Sequence, residues 1–276
     1  MDSVIPHLDP RSRLPRGDRG VSKRTVIISD AHCGHNIGLV PPPWHDKVDD
    51  PELATAQIGL YDFYRAAIKL LNPIDLLAHN GDAVDGRGER SGSLEILRVN
   101  RFVQQSMFVY AVGEANATDI LMTIGTGYHV GSLEQFERPI AEQLDAKIGG
   151  HEWATVGGVT FDFKHKVGSS QIPHGRSTAV KRERLWNLIW AERKNNPKSD
   201  VIVRSHVHYF DYSGARDYLA VVTPALQGQG SRYSTLDCSG TVDFGLLWFD
   251  TYAGAIVDWG WILADYELQK TEALVI

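Results

Sequence analysis

Short β-branched runs alternate with stretches of helical spacing along the first half of the chain. Residues 25–29 (Thr-Val-Ile-Ile-Ser) form a run of buried-strand type. A long loop follows at 33–52 with Pro41-Pro42-Pro43 inside it, and loops of that length are uncommon without a role. Apolar residues recur at helical spacing over 54–71, and Pro73 stops the pattern. Residues 76–78 predict a strand, and 94–113 a helix with Leu94, Leu97, Phe102, Val103, Met107 and Val109 as its apolar positions. A strand is predicted at 120–124. A helix over 132–146 opens at Ser132, with Glu134 and Glu137 in its first turns.

The pattern then changes. Gly157-Gly158 separates two strand-like runs, 153–156 and 159–163, as in a hairpin. A helix is predicted at 178–195, ahead of Pro197, and strands at 201–204, 219–223, 244–249 and 255–261. Helices early and hairpins late predict a layered α/β fold with two sheets rather than one parallel sheet. Residues 1–24 show no periodicity and carry six Arg/Lys against three Asp. They are expected to be a flexible N-terminal arm, ahead of a single domain at 25–276.

Composition narrows the class. A chain of 276 residues buries enough surface for a core without staples. Its 43% hydrophobic and 22% charged residues are ordinary for a globular protein. A net charge of −6 argues against non-specific attraction of the whole surface to nucleic acid. Two cysteines, Cys33 and Cys238, cannot build a disulfide framework and fit a reducing compartment. No apolar run reaches the ~18 residues of a membrane span, and no signal-peptide stretch opens the chain. A cytoplasmic protein with no membrane partner is expected; the oligomeric state is left open.

Three sets of ligand-type residues sit where predicted strands end. Asp30-Ala31-His32 follows the first strand, and residues two apart in an extended segment face one side. Gly81-Asp82-Ala83-Val84-Asp85 follows the second, where Gly81 permits a tight turn and the Asp82 oxygens can bridge two cations. Asp85 suits orientation of another ligand. His206-Val207-His208 follows the strand at 201–204, and His165 closes the run before it. Each set alone is common, since Gly-Asp turns and core histidines abound. Their order and shared place at strand ends are not. Mixed carboxylate and imidazole donors suit Mn, Fe, Zn, Co or Ni rather than Ca. Two such ions ~3.5–4 Å apart can clamp a phosphoryl group and bring a bridging water toward a neutral pKa, as the nucleophile for in-line attack.

With these motifs the chain resembles the calcineurin-like metallophosphoesterases, whose pattern is Asp-x-His, Gly-Asp-x-x-Asp, Gly-Asn-His-Asp/Glu, a lone His, and Gly-His-x-His. The resemblance runs from about residue 25 to 210. It implies a four-layer α-β-β-α sandwich of two mixed β-sheets flanked by helices. It also implies two divalent metal ions: Asp30, His32 and His208 on the first, Asp82 bridging, and His165 and His206 on the second. Two departures stand out. Ser205 replaces the Gly before His206. Where Gly-Asn-His belongs the chain reads Gly125-Thr126-Gly127-Tyr128-His129. Aligning Gly127-Tyr128-His129 puts Tyr128 in place of the Asn ligand; Thr126 is the other candidate replacement. The second ion is then expected to bind more weakly. His129 takes the family's role of general acid or phosphate donor, beside Asp82 as the other catalytic residue.

The substrate side is sparser. Residues 166–194 hold seven Lys/Arg against two Glu. Arg176 and His174, in a Gly/Ser-rich loop, and Arg87, after Asp85, are the candidate phosphate-binding residues. Arg90 and Arg232 are weaker candidates. Arg184, Arg193 and Lys194 are expected to form a solvated helix face. The expected function is a metal-dependent, manganese-type phosphatase or phosphodiesterase acting on a phosphate ester, with nucleotides and nucleic acid among the candidate substrates. The alternatives are a DNA nuclease of the same fold and a catalytically impaired member that serves as a binding scaffold.

Overall fold

A computed structural model describes residues 7–15, 20–47, 50–88, 92–131, 135–170, 172–228 and 241–265. In chain order its strands are β1 (His7–Leu8), β2 (Lys23–Ile28), β3 (Leu76–His79), β4 (Asp119–Thr123), β5 (Lys147–Gly149), β6 (Glu152–Val156), β7 (Val159–Lys166), β8 (Val201–Ser205), β9 (Asp211–Ala215), β10 (Tyr218–Val222), β11 (Gly245–Tyr252) and β12 (Ala255–Asp265). The helices are α1 (Pro51–Leu71), α2 (Arg101–Gly113), α3 (Gly127–Val130), α4 (Glu137–Gln143) and α5 (Arg176–Glu192), with short 3-10 turns at Pro42–Lys47 and Pro173–Gly175.

The strands form two mixed sheets. The seven-stranded sheet runs β1-β12-β11-β2-β3-β4-β5 and the five-stranded sheet β6-β7-β8-β10-β9. In each, the parallel strands lie at the centre or on one side: β2, β3, β4 and β5 in the first, and β7, β8 and β10 in the second. Three apolar layers hold the stack together. Val26, Ile28, Leu77 and Trp248 pack under α1 and α2. Ile27, Phe161, Phe163, Val203 and Phe249 fill the space between the sheets. Ile202, Ala220 and Val222 meet Val180 of α5. Helices, sheet, sheet and helix make four layers, as the motifs implied. Burying each large side chain of these layers contributes roughly 1.5–3 kcal/mol.

Several sequence expectations shift for local reasons. The helix expected from residue 94 starts at Arg101, where Asn100 accepts the Phe102 N–H at 2.9 Å as N-cap. Leu94 and Phe102, taken as its apolar face, are exposed. The helix expected at 132–146 splits into α3 and α4, and Ser132 and Glu134 lie outside the described residues. Strands β1, β5 and β9 had no periodic signal; they are short, and Asp-Tyr-Ser-Gly-Ala (β9) does not alternate. Of the N-terminal stretch, His7–Leu8 pairs with β12, and the Trp248 indole donates to the Arg13 carbonyl at 2.9 Å.

Helix α5 is inverted. Arg184, expected to be solvated, is buried and donates to the Ser199 carbonyl at 2.6 Å. Asn187 reaches Asp162 at 3.2 Å, while Leu185 and Trp186 face out. The sheet beneath explains this, because the Arg204–Asp162 pair (2.7 Å, both fully buried) presents polar groups to the helix. Among the described residues no helix is long and apolar enough to cross a membrane.

A second buried pair joins the layers. Arg24 of β2 meets Asp250 of β11 through two contacts of 2.8 and 2.7 Å and donates to the Leu71 carbonyl at the end of α1 at 2.9 Å. Removing one partner strands the other charge, so Asp250→Ala should cost about 3–5 kcal/mol in urea unfolding. An Arg24→Met, Asp250→Leu double variant should recover most of that loss. A single-variant cost under ~1 kcal/mol would show that the pair does not hold these layers together.

Candidate metal centre

Every candidate ligand emerges at the carboxyl end of a parallel strand. Asp30 and His32 follow β2, Asp82 follows β3, His165 lies near the end of β7, and His206 and His208 follow β8. The extended backbone expected to turn Asp30 and His32 to one side is not what places these side chains. Asp30, His32, Asp82, His206 and His208 all have positive φ, between 41° and 82°. That left-handed region costs a non-glycine residue about 1–3 kcal/mol and persists only where the surroundings impose it. His165 is placed by a register shift between Phe163 and Lys166 instead, a bulge of the kind that re-aims a side chain. Gly81 (φ +90°) is required twice over, since a Cβ there would collide with the His165 ring.

The result is one buried cluster. Among the described residues, three groupings have ligand atoms close enough to share an ion: Asp30, His32 and His208; His32, Asp82 and His129; and Asp82, His165 and His206. Asp30 Oδ1 is buried without a hydrogen bond. Around it stand His208 Nε2 at 3.3 Å, His32 Nε2 at 3.9 Å and His165 Nε2 at 3.9 Å. His165 Nε2 lies 3.0 Å from Asp82 Oδ2 but off the hydrogen-bond direction, so it too has no hydrogen bond. The outer nitrogens are spoken for. His165 Nδ1 donates to the Asn80 carbonyl at 2.7 Å, and His32 Nδ1 meets Asp85 Oδ1 at 3.1 Å. A carbonyl can only accept, so the inner His165 nitrogen carries a lone pair when the ring is neutral. Buried lone pairs of nitrogen and oxygen converging within 4 Å are what a transition-metal ion would satisfy, and this donor set fits one.

Charge points the same way. Burial opposes ionisation of Asp30 and Asp82, yet surrounding imidazoles hold both carboxyls below the ordinary range, His208 foremost at Asp30 and His165 at Asp82. Burial would likewise lower His165, but Asp82 and Asp30 outweigh it and hold the ring at about 10. The two carboxylates therefore demand positive charge between them. His32 and His206 are held at about 4, chiefly by burial, and stand neutral and ready to ligate.

The region after β4 resolves the altered motif. It is Gly125-Thr126, not Gly127-Tyr128, that lies against Asp82. The Thr126 N–H donates to Asp82 Oδ1 at 2.7 Å, and Thr126 Oγ1 is 3.1 Å from both Asp82 oxygens. A Cβ on Gly125 would strike the Asp82 carboxylate. Tyr128, the favoured replacement in the sequence alignment, stands edge-on to His129 at 4.7 Å. The single turn of α3 brings His129 back to the site. Its Nδ1 lies 2.9 Å from the Asp85 carbonyl, and its ring stands edge-on to His32 at 4.4 Å. Burial would lower His129, but the Asp85 carboxylate and the Asp82 charge outweigh it and raise the ring to about 9.

Two supports had gone unread in the sequence. Glu137, taken for a first-turn acid, is fully buried and accepts from Ala83 N at 2.8 Å and Gly125 N at 2.7 Å, tying the β3 and β4 loops together. Below the ligands runs a chain of buried polar groups: Ser29–Thr223 (2.8 Å), Thr223–Ser205 (2.7 Å), Ser205–Asn80 (2.7 Å) and Asn80–Thr123 (2.8 Å). Ser205, the departure before His206, is a link in it. Among the substrate-side candidates, Arg176 stacks over Tyr209, next to His208, at 4.5 Å. Arg87 and His174 are exposed, and the structure does not bring them into the cluster. Arg90 and Arg232 lie outside the described residues.

Glu137 yields a test in metal-free protein. Glu137→Gln turns an amide NH2 toward one of the two N–H donors and should cost about 1–3 kcal/mol. Burial and the Asp82 charge raise the Glu137 carboxyl from 4.5 to about 7. Its contribution is therefore full below the unfolded value and lost as pH rises through the folded one. The difference in thermal midpoint between wild type and Glu137→Gln should narrow from about pH 5 to about pH 8. A difference that widens would contradict this assignment.

No protein-family model matches the chain, and no curated protein matches it. Among solved structures, a novel archaeal phosphodiesterase shares 14% identity, with 87% of this chain and 99% of that chain covered and a TM-score of 0.45. Wild-type Vps29 with zinc from Entamoeba histolytica shares 12%, covering 82% and 84%, with a TM-score of 0.42. A predicted phosphoesterase from Streptococcus pneumoniae TIGR4 shares 10%, covering 83% of each, with a TM-score of 0.38. These are distant likenesses in the course of the chain and carry nothing about its chemistry.

Proposed function

We propose that this chain is a metal-dependent phosphoesterase that hydrolyses phosphomonoesters or phosphodiesters at a dinuclear site. The observation that carries the proposal is the buried Asp30 Oδ1. It lacks a hydrogen bond, faces three imidazole nitrogens within 3.9 Å, and lies beside the second carboxylate, Asp82. Asp30, His32 and His208 would hold one ion, His165 and His206 the other, with Asp82 shared. Two divalent cations supply, when bound, an activated water and neutralisation of the phosphoryl oxygens.

The chain's own residues do the rest. Asp85 fixes the His32 ring from behind, and the Asn80 carbonyl fixes His165, so the donors are aimed in advance. His129, raised by Asp85, keeps a proton to deliver to the leaving oxygen. Arg176, which stacks over Tyr209, would take a phosphate oxygen. The exposed cations on and just after α5 (Lys181 and Arg182, then Arg193) favour nucleic acid as the second reading of the substrate.

Full-length protein with Mn²⁺ should hydrolyse bis-p-nitrophenyl phosphate or p-nitrophenyl phosphate. Asp82→Asn should lower the rate by more than about a hundredfold, beyond the usual effect of outer partners. Absence of turnover, with bound metal confirmed by elemental analysis, would leave the scaffold alternative standing. A steep fall of activity on DNA with added salt would mark a nuclease. His129→Gln should cost about 10²–10⁴ in kcat for a phenyl ester and much less for the p-nitrophenyl ester, whose leaving group needs little protonation. Equal losses on both esters would remove His129 from the acid role.

A further inference from the structure

We propose that the outward face of α5 docks on an anionic lipid surface. A surface helix normally turns its polar residues to water and its apolar ones to the core. Helix α5 does the reverse. Its buried residues are Val180, Arg184 and Asn187. Leu185, Trp186 and Leu188 are 58%, 45% and 39% exposed, with Ile189 and Trp190 half-buried beside them. The helix cannot roll over to hide them. Arg184 donates to the Ser199 carbonyl at 2.6 Å and pairs with Asp217 at 3.2 Å, and Asn187 donates to Asp162 and Ser199 at 3.2 and 3.1 Å. Turning the apolar side inward would leave the polar groups beneath without these partners.

Charge selects the occupant. Lys181 and Arg182 precede the apolar centre and Arg193, Lys194 and Lys198 follow it, all exposed. Of the two acids in α5, Glu183 is committed to Arg204 at 2.9 Å, which leaves Glu192 as the exposed one. A chain of net charge −6 thus carries a cationic rim around an apolar centre. Leu and Trp at the water boundary with Lys and Arg around them are the composition of an interfacial helix, and such a cluster of cations adds attraction to anionic headgroups. Other occupants meet this face poorly. Leu185, Leu188 and Ile189 offer no ring for a base to stack on. In an antiparallel pair of copies, Lys181 and Arg182 of one chain would meet Arg193 and Lys194 of the other. A single outermost helix is convex, and a fluid surface covers it without matched shape. The absence of a spanning segment, from which no membrane partner was expected, does not bear on a helix that lies on the surface. Helix α5 starts at Arg176, which stacks over Tyr209 next to His208, so docking brings the metal centre to the bilayer.

The test is co-sedimentation of the full-length protein with vesicles, a readout independent of turnover at the metal centre. With equal parts of phosphatidylcholine and phosphatidylserine the protein should pellet, and its tryptophan emission should move to shorter wavelength. Phosphatidylcholine alone should bind about tenfold less or weaker still, and added salt should release the protein. Lys181→Gln should weaken binding about fivefold. The double variant Leu185→Ser, Trp186→Ser should weaken it about tenfold or more, with the thermal midpoint unchanged because both side chains are exposed. No pelleting with either vesicle, or pelleting that neither variant weakens, overturns the proposal. So does a dimer in analytical ultracentrifugation, or a complex with an oligonucleotide, that the double variant abolishes while vesicles stay unbound; the face then belongs to a second copy or to nucleic acid.

Discussion

Two carboxylates, Asp30 and Asp82, are buried within one cluster at the ends of adjacent parallel strands, and the rest of the site follows from that. Charges of like sign in a protein interior repel strongly and lose their hydration. The structure answers with imidazoles. Five of them bring a nitrogen toward this pair: His32, His165 and His208 at Asp30, and His129, His165 and His206 at Asp82. The high position of His165 and the low positions of His32 and His206 are two sides of one balance. His165 keeps its proton where negative charge is densest, while burial keeps His32 and His206 neutral. A divalent cation satisfies the same demand with more charge and defined geometry.

Holding such a cluster is costly for the backbone, and the fold supplies the means. Five ligands sit at positive φ. Strain of that kind persists where neighbours determine the conformation, and here they are the sheet hydrogen bonds and the polar chain from Ser29 through Thr223, Ser205 and Asn80 to Thr123. That chain links β2, β3, β4, β8 and β10 just beneath the ligands, so the two sheets are registered by polar contacts at the site end. Between them lies the apolar layer of Phe161, Phe163 and Phe249. Packing sets the distance between the sheets, and the polar chain sets their alignment.

Much of this was legible in the sequence because the chemistry is concentrated in a few residue types. Asp and His at the close of β-branched runs marked the six residues that the fold gathers into one cluster, without any knowledge of φ. What stayed illegible depended on one turn of backbone. His129 stands three residues beyond Thr126, but α3 coils the intervening residues and returns the ring to Asp85. The same coil sets Tyr128 edge-on to His129 and leaves Thr126 against Asp82. Glu137 was hidden for another reason: an acid near a helix start looks solvated, and burial shows only once α4 packs against the β3 and β4 loops. Arg184 and Asn187 misled in the opposite sense, since nothing in α5 reveals the polar Arg204–Asp162 pair beneath it.

The residues at which the sequence departs from the motif pattern it resembles are not scattered. Thr126, Tyr128 and the displaced His129 occupy the loop after β4, and Glu137 of α4 clamps that loop to the one after β3. A carboxylate that accepts both Ala83 N and Gly125 N fixes the distance between these loops, whatever side chain residue 126 carries. The loop could therefore exchange one donor for another while Asp82 stayed in place. The raised Glu137 carboxyl follows from the same arrangement, because it is buried beside Asp82 with only two N–H groups in compensation. The β2, β3, β7 and β8 ends carry the buried Asp/His cluster. The β4 end, held by one buried acid, is the part of the site that can vary without disturbing them.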